Sequence, residues 1–267
     1  MQGRARRVRM TGFVPEQALI PYQASSFSAR RALVLAPHPD DEVFGCGAAL
    51  ADLTRRGAAV VVLVLTDGAG DESDVKARAR TARLRLAESE TALARLGGGE
   101  LRSAGLRDRG LSGTGPALRE AVETALREVA PDLVFAPSPV EIHPDHRAVA
   151  EALVTVGESA APGSVTARVL AGATVAFFEL SQPLRPNFLF DCGPHAETKR
   201  RAMAAFASQN AERDYAGFVT GLNSYRRMTL PKETVAAEGY FVVPGSDLAR
   251  GVPFLARAMS PWTGAPP

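Results

Sequence analysis

Residues 58–65, Ala-Ala-Val-Val-Val-Leu-Val-Leu, run for eight positions without a polar side chain. The run is too short to cross a bilayer and lacks the alternation of a half-solvated strand. It reads as a strand covered on both faces, as happens when helices pack on either side of a parallel sheet. Two shorter apolar runs, at 31–36 and 132–136, repeat the pattern. Stretches of helical character separate them: 44–56, closed by Gly57; 75–96, rich in arginine and alanine and stopped by Gly97-Gly98-Gly99; 116–129, with Pro116 in the first turn; and 146–156. Strand alternating with helix predicts an α/β fold, a Rossmann-like doubly wound and mostly parallel sheet with helices on both faces. Further expectations are a short strand at 100–102, one or two strands within 165–180, a long helix at 194–208 and a strand at 240–243. Residues 1–29 lack periodicity and are expected to form an irregular surface arm. With no internal repeat or linker, 1–267 reads as one domain, with a substrate-shaping region from about 210 to 267.

Composition narrows the function. The chain is 46 % hydrophobic and 22 % charged, and its net charge of +2 is too small to argue for nucleic acid or an anionic membrane as partner. Cys46 and Cys192 are too few and too far apart for a disulfide scaffold or a zinc finger. The basic start (Arg4, Arg6, Arg7, Arg9) is not followed by the apolar stretch of a signal peptide. A cytoplasmic location is expected.

The reactive residues cluster where such a sheet would present them. Pro37-His38-Pro39-Asp40-Asp41-Glu42 follows the strand at 31–36, and His143-Pro144-Asp145-His146 follows the strand at 132–136. Open α/β sheets bind ligands outside the carboxyl ends of their strands. His38 and Asp41, three positions apart in a strand-to-helix turn, are near enough to reach one ion, and His146 supplies a third ligand. Two nitrogens and a carboxylate leave one position of a tetrahedral zinc open for water, whose pKa falls to about 7. Asp40 is placed to take that water's proton, although aspartate also suits the N-cap of the next helix. His143 is left free to face a substrate. Asp145 is a candidate to orient it, and otherwise caps the helix that follows. Glu42 reads as structural, Cys46 as packing, and Asp67, before Gly68, as either a turn cap or a substrate contact.

These two motifs, with Thr66-Asp67-Gly68, Arg85-x-x-Glu88 and Asp108 between them, resemble the PIG-L (LmbE-like) family of zinc-dependent N-deacetylases. The resemblance implies a Rossmann-like fold, one zinc ion and hydrolysis of N-acetyl groups on N-acetylglucosamine-containing small molecules. It implies metal binding by His38, Asp41 and His146, with Asp40 as base. It also implies that His143 stabilises the oxyanion or protonates the leaving amine. Asp108 resembles a carboxylate that binds sugar hydroxyls, and Arg85 an arginine of the substrate pocket. In one respect the chain departs from the pattern. Some members carry a tyrosine where Glu141 stands, and an ionised carboxylate cannot polarise a carbonyl, so either another donor serves or Glu141 reads the substrate.

Other functions fit less well. Gly45-Cys46-Gly47, with Asp67 about twenty residues on, echoes a dinucleotide fingerprint. However, Leu50 replaces its third glycine, and eight residues separate the strand from Gly45. Gly45 and Gly47 read instead as sites of close helix–sheet packing. Two histidines and a carboxylate also describe a non-haem iron site, though its usual His-x-Asp spacing is absent here. Iron(II) or cobalt(II) remain alternative ions for the expected ligand set.

Overall fold

The computed structural model describes residues 16–260. Seven strands, β1 (Arg31–Ala36), β2 (Ala59–Thr66), β3 (Glu100–Leu106), β4 (Leu133–Pro137), β5 (Thr174–Phe178), β6 (Phe188–Asp191) and β7 (Ala237–Pro244), form one sheet. Their order is β3-β2-β1-β4-β5-β7-β6. The first five in that order run parallel, and β7 is antiparallel to both its neighbours. Winding therefore reverses between β1 and β4, and the crevice at their carboxyl ends is where this architecture binds ligands.

The side-chain alternation of the buried strands divides the core into two layers. Ala32, Val34, Val60, Val62 and Phe135 pack beneath α1 (Asp41–Arg55), α2 (Val75–Arg95) and α6 (Ala196–Met203). Leu33, Leu35, Val61, Leu63 and Val134 face α3 (Gly115–Val129), α4 (Pro144–Ser159), α5 (Val165–Gly172) and α9 (Val252–Met259). Two further helices, α7 (Ala207–Glu212) and α8 (Tyr215–Arg226), lie toward the crevice. Among the described residues, no helix is long and apolar enough to cross a membrane.

Several expectations change. The stretch 165–180 begins as helix α5, because the Ser164 side chain accepts from the Ala167 N–H and caps it, and only then enters β5. The long helix expected at 194–208 is a 3-10 turn followed by α6 and, after a break at Ala204–Phe206, α7. Strand β6 and helix α9 are not among the expected elements. Residues 1–15 of the expected arm lie outside the described residues. The remainder is pinned down: Ser25 bridges to Phe190, and Phe27 is buried, stacking on Phe188 at 4.3 Å and meeting Tyr240 edge-on at 5.1 Å.

Gly45 sits where α1 crosses the end of β5. A Cβ there would lie 2.5 Å from the Phe178 ring, closer than carbon atoms approach. Gly45→Ala is therefore expected to cost about 1–3 kcal/mol through overpacking, read as a lower urea midpoint. An unchanged midpoint would mean that helix and ring separate freely.

Candidate active site

The turn after β1 carries His38, Asp40 and Asp41 into the crevice. Asp40 adopts φ 139°, a backbone conformation that few non-glycine residues occupy and that tends to persist at functional sites. It stands at the N-cap position of α1, but its carboxylate makes no cap. Instead Asp40 Oδ2 accepts from Arg85 Nη2 at 2.9 Å. The Asp40 N–H donates to the buried Glu42 carboxylate at 3.0 Å. Burial raises the Asp40 carboxyl to about 7, against the pull of Arg85.

One oxygen of Asp41 joins the two motifs. Its Oδ2 lies 3.1 Å from His38 Nδ1 and 3.3 Å from His146 Nε2. Zinc bonds of 2.0–2.2 Å in a tetrahedron separate neighbouring donors by about 3.4 Å, so these spacings suit a shared metal ion. The far side of the His38 ring faces carboxylates: Nε2 is 3.1 Å from Asp108 and 3.3 Å from Asp145. A metal-ligating histidine is commonly oriented in this way. Ring nitrogens of His38, His143 and His146 also converge within 4.8 Å.

Charge supports the same reading. Burial disfavours ionisation of Asp41, but His146 and His38 outweigh it and hold the carboxyl well below the usual range. Asp108 and Asp145 are likewise lowered against burial, chiefly by His38. Conversely, burial works against the charged imidazoles. Even so, the carboxylates Asp108, Asp145 and Asp41 lift His38 well above the ordinary value, and Asp41 leads in raising His146 to about 9. Three ionised carboxylates thus retain protons on two imidazoles. A divalent cation would supply the same positive charge, and the donor set fits one.

Two expected roles are corrected, and Asp67 takes the first of its two expected roles, the turn cap. The carboxylate of Asp145 does not orient His143. It accepts from the Arg109 and Leu111 N–H groups at 2.7 and 3.1 Å and faces His38. What reaches His143 is the Asp145 backbone N–H, donated to Nδ1 at 3.2 Å, which makes His143 the N-cap of α4. Glu141 does not face the cavity. It is 1 % exposed, accepts from the Leu180 and Ser181 N–H groups at 2.6 and 3.0 Å, and stands 3.7 Å behind His146 Nδ1. Asp67 pairs with Arg78 and accepts from the Asp108 and Ala69 N–H groups, which braces the turn outside the cavity. Arg85 and Asp108 do line the cavity. Arg85 also donates to the carbonyls of Gly68 and Pro39, and Asp108 Oδ2 accepts from the Gly70 N–H.

Comparison with known proteins identifies the frame. Residues 33–156 match the family model described as PIG-L, GlcNAc-PI de-N-acetylase. A diacetylchitobiose deacetylase of Thermococcus kodakarensis is 31 % identical over 68 % of this chain and 71 % of its own. A probable N-acetyl-alpha-D-glucosaminyl L-malate deacetylase of Bacillus anthracis is 31 % identical over 82 % of this chain and 97 % of its own. The chain belongs to the PIG-L family. Among solved structures, the N,N'-diacetylchitobiose deacetylase of Pyrococcus horikoshii superposes with a TM-score of 0.69 at 25 % identity, over 82 % of this chain and 86 % of that one.

The match to the PIG-L model ends within α4, yet the site also depends on residues beyond it. Helix α1 is interrupted at Cys46 (φ −140°, ψ 21°). The Ala48 and Ala49 N–H groups exposed by that break donate to Glu238 of β7 at 2.8 and 3.0 Å. Lys199 of α6 donates to Glu238 at 2.8 Å and to the freed Phe44 carbonyl at 3.0 Å. The buried pair therefore satisfies both sides of the break, one turn beyond Asp41. Glu88 of α2 accepts from the Ser208 N–H and hydroxyl at 2.8 and 2.6 Å, tying α7 to the same layer. Only the fold gives Lys199 and Ser208 these tasks.

Lys199→Met would leave Glu238 buried without its cation, and is expected to destabilise the protein by about 3–5 kcal/mol in urea titration. Adding Glu238→Gln should recover part of the loss. A single variant as stable as the parent would mean that the pair does not hold the break.

Proposed function

We propose that the protein is a zinc-dependent hydrolase that removes an acyl group, acetyl foremost, from the nitrogen of an amino sugar or amino-sugar conjugate. The observation that carries this reading is the single Asp41 oxygen within 3.1 and 3.3 Å of His38 Nδ1 and His146 Nε2. His38, Asp41 and His146 hold the ion. The mixed nitrogen and oxygen set suits zinc, with iron(II) or cobalt(II) as alternatives. When bound, zinc supplies Lewis acidity, lowering the pKa of a water to about 7 and polarising the acyl oxygen.

The chain's own groups move the protons. Asp40, raised to about 7, has the affinity of a base that works near neutrality. It accepts a proton from the attacking water as oxygen bonds to the acyl carbon. It returns that proton to nitrogen as the C–N bond breaks, so that a carboxylic acid and an amine form, and the acid's own proton passes to the amine to give carboxylate and ammonium. Arg85 keeps the Asp40 carboxylate in place. His143 accepts at Nδ1 from a backbone N–H, so its proton sits on Nε2. Burial and the neighbouring imidazoles of His38 and His146 lower its pKa, so it serves as a neutral donor rather than as an imidazolium. Its Nε2–H stabilises the carbonyl oxygen as negative charge develops there. Asp145 and Asp108 orient His38, Glu141 stands behind His146, and Asp108 retains an acceptor for a sugar hydroxyl.

An N-acetylated amino sugar is supported by the names of the relatives, which include chitobiose and glucosaminyl malate deacetylases. Residues of α7 and α8 line the same cavity as the motifs, which supports one domain with a C-terminal region that shapes the substrate site. Two free, buried thiols suit a reducing cytoplasm.

Asp40→Asn is expected to keep the metal and lose about 10²–10⁴-fold in kcat, measured as amine release from N-acetyl sugars alongside metal content. Full activity would remove Asp40 as the base. Asp145→Asn should weaken metal affinity by about 10–100-fold through a looser His38 ring, read by chelator competition. Unaltered affinity would leave Asp145 a helix-terminal residue only.

A further inference from the structure

The cavity before the candidate centre measures about 890 Å³. That lies near the upper end of the roughly 300–1,000 Å³ span of small-molecule sites, space for more than one sugar ring. Its two halves differ in chemistry. The strand ends contribute His38, Asp40, Asp108, Arg109 and His143, while α8 contributes Tyr215, Phe218, Val219 and Leu222.

Helix α8 carries two adjacent stripes. Val219, Asn223 and Arg226 are buried against the protein. Asn223 accepts from Lys199 at 3.0 Å, and Arg226 donates to Glu179 and to the Leu184 carbonyl, each at 2.6 Å. The neighbouring stripe is Tyr215, Phe218, Leu222 and Tyr225, at the spacing of one helix face. Its aromatic members are 37, 64 and 55 % exposed, and Tyr215, Phe218 and Leu222 line the cavity. The stripe is thus apolar, firmly mounted and, at Phe218 and Tyr225, mostly exposed among the described residues. Single exposed apolar side chains need no explanation, but a continuous row along the wall of a reaction cavity does.

We propose that this row is a subsite for an apolar substituent of the substrate, an alkyl or aryl aglycone carried by the N-acylated amino sugar. The proposal rests on the amino-sugar deacylase reading above. Continuity decides the occupant: Tyr215, Phe218 and Leu222 of the row line the same cavity as His38, Asp40 and His146. Helix α8 lies beyond residues 33–156 that match the family model.

The test measures kcat/KM for amine release from methyl, butyl, octyl and phenyl glycosides of N-acetylglucosamine, with the parent protein and Phe218→Ser. Phe218 is mostly exposed, so folding is not at stake. In the parent, kcat/KM should rise about two- to threefold per methylene, below the roughly fourfold of full burial, chiefly through KM. Phe218→Ser should flatten that dependence. A steeper gain for octyl than for phenyl assigns a chain to the subsite, and the reverse assigns a ring. Rates independent of the aglycone overturn the proposal, as does an unaltered dependence in Phe218→Ser. A preference that follows the length of the N-acyl group, seen with N-octanoylglucosamine, also overturns it. So does a change confined to oligomeric state in light scattering, which would assign the row to a second copy. Calorimetric binding of the matching free-amine glycosides reads the subsite without turnover. Silence across all the acetylated glycosides would sink the deacylase reading, whereas tighter octyl than methyl binding, lost in Phe218→Ser, would still uphold the row.

Discussion

The crevice at the ends of β1 and β4 gathers more negative charge than the fixed cations around it neutralise. Asp41, Asp108 and Asp145 are all held ionised there, within reach of the two imidazoles of His38 and His146. Arg85, the buried guanidinium that lines the cavity, is bound to Asp40. Burying that charge is costly unless it is paired, so the site must hold protons or a cation. Much of the neighbouring structure provides the remaining partners: backbone N–H groups of Gly70, Arg109 and Leu111 for the outer carboxylates, and Glu141 behind His146.

The same logic governs the scaffold. Helix α1 passes the Phe178 ring so closely that residue 45 must lack a side chain. It breaks one residue on, at Cys46, and the backbone groups exposed by the break are buried. They find Glu238 of β7 and Lys199 of α6, which pair with each other. The ligand-bearing turn at the front of α1 therefore depends on β7 and α6 behind it. Through Asn223, Lys199 also reaches α8, so the wall of the cavity and its floor share one polar anchor.

Much of this was legible from residue order. Buried strands announce themselves as unbroken valine and leucine runs, and histidines paired with aspartates directly behind two of them predict a site at the strand ends. Sequence reasoning failed where side-chain direction mattered. His143 and Asp145, two positions apart, suggest a carboxylate–histidine pair. At the start of α4, however, the backbone of Asp145 faces His143 while its carboxylate turns to His38, 107 positions away. Glu141 precedes a reactive motif and so invites a role toward substrate, yet two loop N–H groups draw it inward. Helix α8 escaped notice because Gly217 and Gly221 interrupt its pattern and its apolar residues form two stripes, of which only one is buried.

The sequence by itself determined the layered α/β architecture, the position of the reactive residues at strand ends, and the family to which those motifs point. All of these follow from local rules, the period of burial along a strand and the chemistry of a few side chains close in the chain. Only the tertiary structure decided which carboxylate serves which histidine, why α1 can break without leaving buried groups unsatisfied, and that an apolar row overlooks the cavity. Those outcomes depend on groups from distant segments competing for a limited set of hydrogen-bond and ionic partners in a space closed to water. No spacing in the chain records which of them wins.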